Sequence, residues 1–166
     1  MNVMHSLRLA GPLTLLIATV PASGADDPRI EDFALCRESW LDLEKSDPAA
    51  LERFGIYLNS EFTRDSDDGH LAPKAATTVN GLNVSQVFPS SLGMGLGFSV
   101  LLEAPFDVAR QAVERDLGRE LVGCDGGDGV RACELPIAEK RTVLVVSEDA
   151  PNDQTTLVGC YYYYEK

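Results

Sequence analysis

The sequence predicts an α+β fold: an N-terminal helical hairpin, then a mainly antiparallel sheet with one central amphipathic helix packed on it. Three observations lead there. Apolar residues recur at helical spacing twice between Asp32 and Phe62. A strand pattern runs directly into a second helical pattern across Gly95–Leu117. From Arg119 onward, short apolar or alternating segments are separated by Gly, Pro, Asn and Asp, the composition of strands and turns.

In Asp32–Lys45, the residues Phe33, Cys36, Trp40 and Leu43 fall on one helical face, which places the single tryptophan in the core. Ser46-Asp47-Pro48 ends that helix and starts another. The Asp47 carboxylate can accept from an unpaired N–H of the next first turn, where Pro48 lacks an N–H that is not needed. Leu51, Phe54, Leu58 and Phe62 then mark the buried face of a helix over Pro48–Phe62. Thr63–Pro73 is polar and turn-rich and reads as a solvated loop. Asn80-Gly81 is a turn, Leu82–Phe88 a strand and Pro89–Gly93 a loop.

Phe98, Val100 and Leu102 alternate with Gly97, Ser99 and Leu101, the period of a strand. Gly93, Gly95 and Gly97 open this strand with no lysine or helix behind them, so they are expected to relieve crowding or admit another backbone, and not to cradle phosphate. Phe106, Ala109, Val113 and Leu117 line one face of the following helix, which Gly118 stops. Arg119–Cys124 and Val130–Pro136 are expected to form a hairpin. Arg141–Ser147, apolar on both faces, is an interior strand. In the last strand, Thr155–Tyr164, one face carries Val158, Cys160, Tyr162 and Tyr164, and the other Leu157, Gly159, Tyr161 and Tyr163.

Residues 1–25 read as a secretory signal peptide. Arg8 supplies positive charge, Leu13–Val20 is apolar, and Pro21-Ala-Ser-Gly-Ala25 offers small residues for cleavage after Ala25. The apolar run is too short to cross about 30 Å of hydrocarbon. The expected product is a single domain over 26–166, periplasmic or secreted, with no membrane span. In such a compartment four cysteines favour disulfides. Three pairings are possible. The turn Asp125-Gly-Gly-Asp-Gly129 favours Cys124–Cys133, which leaves Cys36–Cys160. A zinc site is not expected, because no Cys-x-x-Cys pair is present and His70 is the only histidine after the leader.

The chain holds 14 Lys and Arg against 26 Asp and Glu, a formal net charge of −12, and loss of Arg8 with the leader makes it one charge more negative. That surface repels nucleic acid and attracts basic proteins or cations. No Gly-x-Ser-x-Gly, Rossmann or Walker pattern occurs, and a nucleophile–histidine pair would rest on His70 alone. Asp65–His70 and the cluster Asp125, Asp128 and Glu134 lack the EF-hand arrangement, since Gly69 stands fifth from Asp65 and no Glu stands twelfth. No cofactor and no metal ligand is expected. The four consecutive tyrosines are the feature most suggestive of function. One face of that strand must pack on the core, while the other offers rigid aromatic area with polar tips. The expected binding surface is Tyr161, Tyr163, Asp125 and Asp128.

Gly97-Phe-Ser-Val-Leu-Leu-Glu-Ala-Pro-Phe-Asp107 and the tail Gly159-Cys-Tyr-Tyr-Tyr-Tyr-Glu-Lys166 resemble segments of small uncharacterised exported proteins of Gram-negative bacteria, some of immunity-protein type. The resemblance covers the second half of the mature chain and carries no catalytic residue. It implies a non-enzymatic, periplasmic immunity or inhibitor protein whose partner is another protein, a basic toxin or a cell-wall hydrolase. Two other classes compete: a small carboxylate-dependent hydrolase, which needs a concave pocket holding two acidic groups, and a calcium-binding envelope module.

Overall fold

The computed structural model describes residues 27–65, 69–89, 96–124, 129–147 and 154–162. The expected leader lies outside them, as do Gly93 and Gly95. Within them, the fold is α+β, with four helices and one large antiparallel sheet.

The first helical pattern is cut in two. α1 (Ile30–Ala34) ends at Leu35, and α2 (Trp40–Ser46) starts afresh with the Ser39 hydroxyl accepting from the Asp42 N–H. This corrects the single helix expected over Asp32–Lys45. Cys36 sits between the two helices at φ 57, a left-handed conformation that helix geometry forbids. Its side chain is bonded to Cys160, so the covalent link outweighs local helical preference. α3 (Pro48–Glu61) follows as expected. Asp47 accepts from the Ala50 N–H at 3.0 Å and Pro48 opens the first turn. α2 and α3 pack together as the helical hairpin.

The stretch read as a solvated loop is instead partly strand. β1 (Phe62–Arg64) pairs with β2 (Leu71–Pro73) in register Phe62↔Pro73 to Arg64↔Leu71. Phe62 and Leu71 are buried, and that burial overrides the polar composition between them. β3 (Thr78–Val79) turns into β4 (Leu82–Phe88) through Asn80 and Gly81, both left-handed at φ 51 and 76, the geometry of a two-residue hairpin. β5 (Leu96–Leu102) leads into α4 (Phe106–Leu117), which Gly118 ends at φ 63. β6 (Arg131–Ala138), β7 (Arg141–Ser147) and β8 (Thr156–Tyr162) complete the sheet. Its order is β1-β2-β4-β5-β8-β7-β6, with β3 beside β4. The last strand thus lies in the middle, antiparallel to both neighbours. The hairpin expected between Arg119–Cys124 and β6 reduces to one bridge, Val122↔Glu134, and the main partner of β6 is β7.

Both expected disulfides form, Cys36–Cys160 and Cys124–Cys133. All four helices pack on one face of the sheet. Phe98 on β5 meets Phe33 of α1 at 5.5 Å between ring centres, Trp40 of α2 at 6.0 Å and Phe54 of α3 at 5.9 Å. Phe106 of α4 lies under the Arg131 guanidinium of β6 at 4.2 Å. Val100, Val158, Val145 and Cys133 form one buried cross-strand row beneath them.

Gly97 lets β5 and β8 close up. A Cβ there would collide with the Cys160 carbonyl, a backbone group that cannot swing aside. Gly97→Ala is therefore expected to lower unfolding free energy by about 2–3 kcal/mol, as overpacking does. Urea denaturation measures it. A loss below about 0.5 kcal/mol would show that the two strands part freely.

Candidate functional site

Residues opposite one another in an antiparallel pair point to the same face. The register therefore defines the face that no described helix covers. Its first row runs Leu101, Leu157, Val146 and Ala132 across β5, β8, β7 and β6. Its second runs Ser99, Gly159, Leu144 and Glu134, and continues to Val122 through the bridge. Its third runs Gly97, Tyr161, Thr142 and Pro136. Leu101, Leu144, Val146 and Leu157 are half-buried, and Val122 is 54% exposed. The outward face of an antiparallel sheet is ordinarily polar. Here its first row is aliphatic, as are Leu144 and Val122 in the second.

Of the residues expected to form the binding surface, Asp125, Asp128 and Tyr163 lie outside the described residues. Tyr161 stands on the helix-free face but is only 7% exposed. Its cross-strand neighbours are Gly97 and Thr142, and its hydroxyl is hydrogen-bonded to Ser99. Burial pushes the phenol pKa up, and the Ser99 hydrogen bond pulls partly the other way. The ring is thus buried beside small cross-strand neighbours and is not an exposed platform. Tyr162, on the opposite side, is buried toward the helices and donates to the Glu38 carbonyl at 3.5 Å. The open part of the face is carried by the aliphatic residues beside Tyr161, which were not expected to act. Their signal was present in Val143–Val146, apolar on both faces. β7 is the interior strand expected there, and the described helices cover one of its two apolar faces.

Charge is distributed unevenly between the two faces. Arg37 pairs with Glu31, Asp32 and Asp116; Arg53 with Asp27; Arg110 with Asp107 and Glu114; Arg131 with Asp107; and Arg141 with Asp42. All these pairs lie among the helices or on the helical side of the sheet. The hydrogen bond from Arg131 holds the Asp107 carboxyl below the usual aspartate range, the opposite of what a general acid requires. Among the described residues of β4–β8, the helix-free face carries no Lys or Arg, and its charged side chain is Glu134.

Among the described residues, two clefts lie elsewhere. One, of about 450 Å³, lies between the Lys74–Thr77 segment and β4, and Glu103 is the one carboxylate in its lining. Lys74 there donates to the Asn59 and Ser60 carbonyls, at 3.1 and 2.7 Å, and so caps the end of α3. The other, of about 320 Å³, is lined by Asp27, Arg29, Arg53, Phe54 and Tyr57, with Asp27 bonded to Arg53 at 2.6 Å. Neither brings two carboxylates together, as the hydrolase alternative requires. Among the described residues, no group of three His, Cys, Asp or Glu is gathered to hold a metal.

No protein-family model matches this chain, and no match is found among curated proteins or solved structures.

Proposed function

We propose that the protein is an exported binding protein that works by contact, a periplasmic immunity or inhibitor protein holding a basic toxin or cell-wall hydrolase. The observation that carries this reading is the acidic surplus. Among the described residues, ion pairs engage five arginines within the fold, and Lys74 and Arg119 bond to backbone carbonyls. What faces a partner is then predominantly carboxylate. Fixed negative charge accelerates encounter with a basic protein, and salt screens it. The two disulfides are compatible with a periplasmic or extracellular location, and among the described residues no helix is long and apolar enough to cross a membrane.

The test is association kinetics of oxidised protein with purified basic toxins and hydrolases exported into the same compartment. The association rate is expected to fall about tenfold or more between low and physiological salt, with little change in dissociation rate. Absence of any salt-sensitive partner overturns the reading. So does substrate turnover that disappears when a single carboxylate is neutralised.

A further inference from the structure

We propose that the helix-free sheet face, along the Leu101–Leu157–Val146 row and out to Leu144 and Val122, docks a partner protein that presents apolar side chains ringed by Lys or Arg. This deepens the binding-protein reading and rests on it.

Three observations select the face and its occupant. The first is composition. Five aliphatic side chains, half-buried or exposed, adjoin one another across three strands and the Val122 bridge, and no described helix lies over them. Contiguous apolar surface of this kind marks a contact site in a water-soluble fold. The second is that the neighbouring sheet edge is blocked to strand addition at Glu134 and Pro136. On β6 the outward groups of Glu134 are already bonded to Val122, at 2.8 and 2.9 Å. Pro136 has no N–H, and its carbonyl accepts from Arg119 at 3.1 Å. A partner at this end of the sheet must therefore engage side chains of the face. The third is charge. The face has Glu134 beside Leu144 and no cation among its described strand residues, in a chain of formal charge −12. Two copies meeting face to face would oppose two Glu134 carboxylates and two acidic molecules, whereas a basic rim complements them.

The experiment uses the full chain, exported in its native cells, with a photoreactive phenylalanine at Val122 on the face or at Ile56 on the exposed side of α3, which is 61% exposed. Adducts are identified by mass spectrometry and their partners purified. The expected result is an adduct from Val122, and not Ile56, with a protein of basic isoelectric point. Binding of that purified protein should weaken at least tenfold in Leu144→Gln and stay within twofold in Glu52→Gln, with both disulfides intact in each. An adduct from Ile56 alone overturns the face and leaves the binding reading standing. An adduct only with a second copy, or only with an acidic protein, overturns the assigned occupant. A Leu144→Gln variant that keeps full affinity overturns the face. No adduct at either position overturns the face and the binding reading together.

Discussion

Replacing both Cys36 and Cys160 with alanine is expected to lower the unfolding free energy by about 3–5 kcal/mol, the largest effect of any disulfide change in this chain. The bond spans 124 positions, so in the chain-entropy model it removes about 5 kcal/mol of loop-closure freedom from the unfolded state, before native strain is subtracted. It also joins the turn after α1 to the central strand β8, so its loss loosens the helical layer from the sheet. The equivalent change at Cys124 and Cys133, only 9 positions apart, should cost about 2–3 kcal/mol. A further variant separates local conformation from the crosslink. Because Cys36 sits at φ 57, Cys36→Gly with Cys160→Ala should be more stable than the double alanine form by about 1 kcal/mol. Chemical denaturation of the three proteins gives the ordering. Equal losses at the two disulfides would refute the long-loop account.

Phe33→Ala should cost about 3–5 kcal/mol, the range for deleting a buried aromatic ring. Phe33 has no exposed surface. Its ring centre lies 4.2 Å from that of Phe54, 4.7 Å from Trp40 and 5.5 Å from Phe98. It is thus the meeting point of α1, α2, α3 and the sheet, and rings from three directions cannot all collapse into the space it leaves. Phe33→Leu, which keeps most of the volume, should cost about 1–1.5 kcal/mol. Urea denaturation with the disulfides intact measures both. A loss below about 1.5 kcal/mol for the alanine variant would show that the aromatic cluster repacks.

Much of the architecture was legible because it is written in local spacing. The apolar period of Phe106, Ala109 and Val113, the stop at Gly118, and the Asp47-Pro48 start all act within a turn or two of chain. The Asn80-Gly81 hairpin does the same. Cysteine pairing was also within reach, since a tight turn between Cys124 and Cys133 leaves one pairing for the others. The errors arose where distant contacts outweighed neighbours. Cys36 has the right spacing for a helix, but its bond to Cys160 requires another backbone conformation. The polar composition after Phe62 hid a short hairpin held by two buried residues. Tyr161 offers aromatic area in any sequence reading, yet it is buried beside Gly97 and Thr142, which belong to other strands and are not its neighbours in sequence.

By itself, the sequence determined most of the element types, the acidic balance and the favoured cysteine pairing. Those depend on side-chain chemistry and on periods of a few residues. The tertiary structure alone decided that β8 enters the middle of the sheet and that all four helices gather on one side of it. The period of two in a strand separates two faces but does not say which will be covered. That choice depends on packing between segments far apart in the chain, and it is what leaves the Leu101–Leu157–Val146 row facing outward.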